Sequence, residues 1–231
     1  MNLLLFIQAT AENLNDVELE EGAEQGMNYI EMAMNGGWIM IPLALLSIIS
    51  VYIFFERFVA IKKASKEDDG FMNKIKDYIH DGKIDSAIAL CQSHDFPISR
   101  MIEKGVSRIG RPLNDVNTAI ENVGNLEISR LEKSLPTLAT VAGGAPMIGF
   151  LGTVIGMIRA FYDMANAGNN IDVGVLSSGI YTAMVTTVTG LVVGIIAYFA
   201  YNILVAKVEK VVFKMEASTM EFMDLLNEPA H

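Results

Sequence analysis

The residues of this chain that could do chemistry by type and spacing are hydroxyl side chains in a strongly apolar segment. Thr182, Thr186 and Thr189 follow one another at i, i+4 and i+7, which places them on one face of a helix. A threonine oxygen can bind water or a hard cation, but it does not exchange a proton near neutral pH. A single threonine in an apolar helix more often bonds a carbonyl of its own helix. The stripe of three favours a polar pathway instead.

The segment that carries this stripe has no charged side chain from residue 173 to residue 206, and windows 32–55 and 134–158 are equally neutral. About 20 apolar residues are enough to cross a bilayer core. With 52% hydrophobic and 19% charged residues, the composition agrees with a membrane protein. We therefore expect an all-α membrane protein with three transmembrane helices. The third neutral run would measure about 50 Å as a helix, so we expect one long helix that projects beyond the membrane.

The positions of lysine and arginine predict the orientation of the three spans. The first 36 residues contain no basic residue, whereas Arg57, Lys62 and Lys63 follow the first span and Lys207 follows the third. Because basic residues concentrate on the cytoplasmic side, the N-terminus should lie outside and the C-terminus inside. Residues 57–133 then form an interior domain, which we expect to be helical because its apolar residues recur at helical spacing and show no strand-like alternation.

The resulting plan divides the chain into seven parts. They are an outer N-terminal segment with an interfacial helix (1–36), the first span (37–56), the interior helical domain (57–133), the second span (134–162), an outer loop (163–173), the third span (174–206) and an interior C-terminal helix (207–231).

Glycines at four-residue spacing predict close packing of the second and third spans. Gly152 and Gly156 form one small-xxx-small pair and Gly190 and Gly194 form another, which lets helix backbones approach each other. Gly149 precedes the first pair, and Pro146 lies inside the second span, where it should kink the helix. These features favour a tightly packed assembly in which neighbouring helices surround the second span.

The chain offers no enzymatic chemistry. It has no nucleophile–base pair, no phosphate-binding loop and no metal cluster, and Cys91 has no histidine at metal-ligand spacing. We therefore expect no catalytic residue, no cofactor and no metal. The formal net charge of −10 also excludes a basic footprint for nucleic acid.

Two membrane motifs carry a resemblance to a known family. The stretches APMIGFLGTVIGMIRAF (145–161) and SSGIYTAMVTTVTGLVVGIIAYFAYN (177–202) resemble the ExbB/TolQ/MotA family of ion-driven inner-membrane motors. ExbB and TolQ are the closest members by length and three-span layout, and the likeness covers roughly residues 38–212. The resemblance implies a bacterial inner-membrane protein with a periplasmic N-terminus and long cytoplasmic helical extensions, assembled as a homo-pentamer around a central pore.

The family also implies partners and roles. The pore would enclose single transmembrane helices of ExbD-like partners, each supplying a membrane aspartate, and work would pass to a TonB-like protein. Thr153 and Thr187 match the family's pore-facing threonines, whereas Thr182 stands where many members have a glutamate. Since neither neutral span contains Asp, Glu, His, Lys or Arg, an ionisable group must come from another chain, unless the ion is handled without protonation.

Three functions remain open at this point. The first is a proton-driven motor subunit that uses proton-motive force. The second is a sodium-driven, MotA-like stator, because hard cations take oxygen ligands. The third is a structural membrane scaffold that conducts no ions, since glycine packing would suit it equally well. The threonines discriminate, because a scaffold should tolerate loss of their hydroxyls.

Overall fold

The computed structural model describes residues 36–66, 70–166 and 173–227. The interfacial helix predicted within residues 1–36 lies outside the described residues, apart from Gly36, and so do residues 167–172 of the outer loop.

Helices make up nearly all of the described part of the chain, which contains no strand. In chain order they are α1 (Met40–Ala64), α2 (Phe71–His80), α3 (Ile84–Gln92), α4 (Pro97–Val106), α5 (Leu113–Glu132), α6 (Leu135–Asn166) and α7 (Val173–Asn227). Three stretches are long and apolar enough to cross a membrane, and they lie on α1, α6 and α7. The prediction of an all-helical membrane protein with three spans is therefore confirmed.

The longest element is α7, a single helix of 55 residues. At 1.5 Å per residue it is about 80 Å long, well beyond the thickness of a bilayer core. Its first half packs against α1 and α6, and its second half packs against α2, α4 and α5. Val208, Met215 and Phe222 are buried along this second half. The expected single long helix is therefore present, and apolar residues of its second half pack against the short helices.

The short helices α2 to α5 form a small bundle around the second half of α7. Phe71, Ile102 and Ile120 are fully buried in it. Gly105 allows the closest approach, because a methyl group there would lie 2.6 Å from the Phe222 ring and 2.7 Å from Ile120. This bundle holds α7 in one position relative to the shorter helices.

The chain changes direction between α5 and α6 at Lys133 and Ser134. Ser134 has φ +69°, a left-handed conformation that is unfavourable for a residue with a side chain. Pro136 occupies the first turn of α6, where its missing N–H leaves no hydrogen bond unmade. Helix α5 therefore ends at Glu132, and the second span begins on a separate helix.

An ion-pair network joins the end of α1 to the bundle. Arg57 is buried; it pairs with Glu56 and donates to the Arg130 carbonyl at 3.1 Å. Glu127, only 4% exposed, accepts from Arg100 at 2.6 Å and from Arg130 at 2.5 Å. A buried carboxylate is tolerated here because two guanidinium groups compensate its charge.

The same network reaches the surface of the bundle. Asp95 is paired with Lys63 at 2.7 Å and with Arg100 at 2.6 Å. The hydrogen bond from Lys63 is the first cause that lowers the pKa of Asp95, followed by the charges of Lys63 and Arg100. The hydrogen bond to Glu127 is in turn the main cause that raises the pKa of Arg100.

Candidate ion-pathway site between two membrane helices

The centre of the site is a backbone contact between α6 and α7 at Gly149 and Gly190. A methyl group added at Gly190 would lie 2.6 Å from the Ala145 carbonyl oxygen and 2.9 Å from the Gly149 Cα. A methyl group at Gly149 would lie 2.8 Å from the Thr186 carbonyl oxygen. No side chain fits between the two helices at this level, so only glycine allows the contact.

The contact continues along both helices towards the outer loop. A methyl group at Gly152 would collide with the Thr186 side chain, and one at Gly156 would lie 2.8 Å from the Ala183 Cβ. Further along, a methyl group at Gly179 would lie 2.5 Å from the Ala160 Cβ. The two helices therefore contact through small residues over several turns.

Towards the other end, Pro146 packs against Gly194. A methyl group at Gly194 would lie 2.5 Å from the Pro146 Cγ and 3.0 Å from the Ala142 carbonyl oxygen. Ala142 is four residues before Pro146, so its carbonyl has lost its usual helical donor. The helix α6 is continuous through Pro146. The absence of a side chain at Gly194 leaves room for the proline ring and brings α7 next to the freed carbonyl.

Two threonine hydroxyls lie at the glycine contact. The Thr187 Oγ1 donates to the Gly149 carbonyl at 3.0 Å, which is a hydrogen bond between α7 and α6. Thr186 is only 2% exposed; its Oγ1 donates to the Ala183 carbonyl at 2.7 Å and also lies 3.4 Å from the Gly149 carbonyl. Within one protomer, Thr186 therefore belongs to the contact between helices, and the predicted stripe is not one continuous exposed surface.

The other three threonines are partly accessible. The Thr153 Oγ1 donates to the Phe150 carbonyl at 2.6 Å, and the Thr189 Oγ1 donates to the Val185 carbonyl at 2.9 Å. Both are bonds within one helix. Thr182 is half-buried, and its hydroxyl has no hydrogen-bond partner among the residues that the structure describes. Of the five threonines, Thr182 is therefore the one whose hydroxyl donates to no carbonyl within the described residues.

The electrostatic character of the site is neutral. Residues 134–158 and 173–206 contain no Asp, Glu, His, Lys or Arg. Within the described ranges no group of three metal-binding side chains occurs. The site can therefore offer hydroxyl and carbonyl oxygens to water, an ion or a polar partner group, but it cannot itself take up a proton near neutral pH.

Comparison with known proteins decides the family. The family model described as the MotA/TolQ/ExbB proton channel family matches residues 93–217, which is more than half of the chain. The chain belongs to the MotA/TolQ/ExbB proton channel family. The matched range contains all of α6 and the first 45 residues of α7, from Val173 to Ala217, so it includes the whole glycine and threonine site.

Individual members of this family are moderately similar to the chain. An ExbB homolog of Methanothermobacter thermautotrophicus is 28% identical over 188 residues, which cover 81% of this chain and 66% of that protein. The Tol-Pal system protein TolQ of Pseudomonas aeruginosa is 27% identical over 84% of this chain and 88% of its own length. The biopolymer transport protein ExbB of Aquifex aeolicus is 37% identical over 47% of this chain and 74% of its own length. The chain thus spans just under two thirds of the first of these relatives.

Several residues of the contact between α6 and α7 were missing from the sequence prediction. Ala145, Ala160, Gly179 and Ala183 all take part in the contact between α6 and α7. The spacing of four residues between Gly179 and Ala183 is the same small-residue signal that identified the predicted pairs. Including alanine in that pattern would have found the outer half of the contact.

Proposed function

We propose that the chain is the ion-conducting motor subunit of an ExbB–ExbD/TolQ–TolR-type complex in a bacterial inner membrane. Five copies would surround a central pore, with the N-terminus in the periplasm and the C-terminus in the cytoplasm. Proton-motive force would energise TonB-dependent outer-membrane transport or a similar envelope process. The observation that carries this proposal is the family match over residues 93–217, which includes the entire site.

The composition of the site supports a role for a partner chain. A proton relay normally needs a titratable group near the middle of the membrane, and neither α6 nor α7 supplies one within its neutral run. We infer that an ExbD-like protein with a single transmembrane helix brings an aspartate to the threonines, and that a TonB-like protein receives the work. One charge crossing 100 mV releases about 2.3 kcal/mol, so several ions per cycle would be needed for substantial work.

The geometry supports Thr182 as the threonine that would interact with the partner's aspartate. Thr182 stands at the family's glutamate position, and its hydroxyl is unbonded among the described residues. Thr153, Thr187 and Thr189 would contribute the surrounding oxygens, although each of their hydroxyls also donates to a backbone carbonyl. Thr186 would act by holding α6 against α7.

A non-conducting scaffold is the second candidate, and one observation favours it. Four of the five threonine hydroxyls donate to carbonyls of the same chain, as they would in a helix pair built only for packing. A sodium-driven stator is a further alternative, since the polar groups described at the site are hydroxyl and carbonyl oxygens, which hard cations accept as ligands.

The test is ion flux in proteoliposomes that contain the chain and its single-span partner. Proton entry under an imposed membrane potential is measured with a pH-sensitive dye, in sodium and in potassium buffer. If Thr182 serves the pathway, Thr182→Val lowers the flux at least tenfold, whereas Thr182→Ser retains most of it. Thr140→Val is the matched control. Thr140 is exposed on α6, and its hydroxyl donates a hydrogen bond to the Pro136 carbonyl of the same helix.

The outcomes separate the candidates. Flux that requires sodium would identify the stator. If the Thr182→Val complex assembles and conducts as fast as the wild-type complex, Thr182 is not part of the ion pathway. Absence of flux from the wild-type complex, with the partner present, would favour the scaffold. Size-exclusion chromatography of each variant shows whether the complex has assembled.

A further inference from the structure

An apolar groove lies between α1 and α7 on the surface of the protomer. Its volume is about 400 Å³. Val51, Phe54 and Phe55 form one wall, and Ile196, Phe199 and Ile203 form the other. Phe55 and Phe199 are each 62% exposed, so the groove is open to the surroundings of the protein.

One end of the groove is cationic. Phe58 follows Phe54 by one helical turn, Lys207 follows Ile203 by one turn, and the Lys207 ammonium lies 4.9 Å from the centre of the Phe58 ring. Lys62 and Lys210 come one turn later on the same faces of α1 and α7. These three lysines have no carboxylate partner among the described residues, in contrast to Lys63, which pairs with Asp95.

The other end of the groove is uncharged. Helix α1 has no charged residue from Met40 to Phe55, and α7 has none up to Ala206. The groove therefore has the polarity of a phospholipid, with an apolar trough that ends at a group of positive charges. Lys207 directly follows the neutral run of α7, and Lys62 and Lys210 lie about one helical turn beyond the level of Phe58 and Lys207. This is the expected level of the lipid headgroups.

We propose that this groove binds an acidic phospholipid, with one acyl chain between α1 and α7 and the phosphate among Lys62, Lys207 and Lys210. Basic residues at a membrane surface attract acidic lipids, each by about fivefold in affinity. The proposal does not depend on the proposed ion transport.

A second copy of the chain fits the groove less well than a lipid does. Copies in one membrane share the same orientation, so a neighbour whose groove faced this one would bring its own Lys62 and Lys207 to the same level. Like charges would then face each other at the cationic end. A lipid phosphate brings the opposite charge to that place and lets the acyl chain cover the exposed apolar walls.

The test uses the full chain in detergent and measures lipid binding by native mass spectrometry. The probes are dioleoyl phosphatidylglycerol, dioleoyl phosphatidylcholine and inorganic phosphate. We expect the acidic lipid to bind at least fivefold more tightly than the zwitterionic lipid. Lys207→Gln should weaken its binding about fivefold, and Lys207→Gln combined with Lys210→Gln about 25-fold. Lys104→Gln is the control, because Lys104 is an exposed lysine on α4 outside the groove.

The apolar wall is tested separately. Ile203→Trp should fill the groove and weaken binding of both lipids, while circular dichroism shows that the helices are intact. Equal affinity for the two lipids would overturn the proposal, as would phosphatidylglycerol binding that Lys207→Gln and Ile203→Trp leave unchanged in folded protein. Competition by inorganic phosphate at equal concentration would show an anion site without an acyl chain, and it would also overturn the proposal. Disulfide-linked dimers of a Phe199→Cys variant made in a Cys91→Ala background would show a second copy in the groove instead.

Discussion

Replacing Gly149 by alanine should separate α6 from α7 by a distance that the structure defines. The added methyl group would lie 2.8 Å from the Thr186 carbonyl oxygen, 3.1 Å from the Gly190 Cα and 3.2 Å from the Thr187 Cα. All three neighbours are backbone atoms, which cannot rotate away as a side chain could. Since carbon atoms pack at about 3.5 Å, the helices must move apart by roughly 0.6 Å.

The energetic cost follows from that displacement. A gap of 0.5–1 Å forfeits a quarter to a half of the attraction at each atom pair, which is about 1.5–3 kcal/mol over roughly 40 pairs. The Thr187 Oγ1 to Gly149 carbonyl distance would grow from 3.0 Å to a length at which it no longer counts as a hydrogen bond. That loss adds about 1 kcal/mol, and the better helix propensity of alanine offsets about 0.5–1 kcal/mol. We therefore expect Gly149→Ala to lower the free energy of unfolding by about 2–3 kcal/mol.

Gly143 provides the matched control on the same helix. A methyl group at Gly143 would meet no atom within 4 Å. Gly143→Ala should therefore leave stability unchanged or raise it by up to about 1 kcal/mol, since alanine favours the helix. The two identical substitutions, six residues apart, should differ by about 3 kcal/mol in an SDS titration followed by circular dichroism.

A double-mutant cycle with Thr187→Val tests the cause. In the wild-type background this substitution should lower the free energy of unfolding by about 1 kcal/mol, because it removes the hydrogen bond to the Gly149 carbonyl. In the Gly149→Ala background it should cost almost nothing, because the bond is already broken. Equal stability of Gly149→Ala and Gly143→Ala, or full additivity with Thr187→Val, would refute the reasoning.

Three further predictions concern the bundle and its junction with α6. Burial, with a smaller effect of Glu103, raises the pKa of the Cys91 thiol to about 12, so iodoacetamide at pH 8 should modify this cysteine only after SDS unfolding, as mass spectrometry would show. Ser134→Gly should raise the free energy of unfolding by about 1 kcal/mol in the same SDS titration, because glycine adopts a positive φ without strain. Because pairing with Lys63 lowers the pKa of Asp95, its stabilising effect is present above the unfolded pKa and is lost as the pH falls through the folded pKa. Asp95→Asn should therefore lower the SDS midpoint at pH 7, and the difference from wild type should shrink as the pH falls below the ordinary aspartate pKa of about 3.9.

The membrane helices could be predicted because their signal is local. Neutral runs of more than 20 residues leave few alternatives to spanning helices, and the short helices of the bundle follow apolar residues at helical spacing. The break at Ser134 was not predicted, although Pro136 in the first turn of α6 is the usual mark of a helix start. Apolar residues occur on both sides of Ser134, so the sequence pattern did not reveal the break between the two helices.

The buried position of Glu127 could not be predicted in the same way. No pattern in the sequence marks Glu127 as buried, yet it is 4% exposed between Arg100 and Arg130. Arg130 is three residues away and was visible as a helical neighbour, but Arg100 comes from another helix. A contact between α4 and α5 depends on the packing of the bundle, which no spacing within one helix reveals. The position of Thr186 between α6 and α7 escaped prediction for the same reason.

The structure also limits where movement could occur in the proposed motor. Helices α6 and α7 contact through backbone atoms at Gly149 and Gly190, and close-packed interfaces of this kind do not deform continuously. Helix α7 continues without a break into the bundle, where Met215 and Phe222 are fully buried. A shift of α7 in the membrane would therefore move α6 and the bundle with it. Work driven by ions would then arise between this chain and a partner helix, and α6 and α7 would keep their mutual contact throughout.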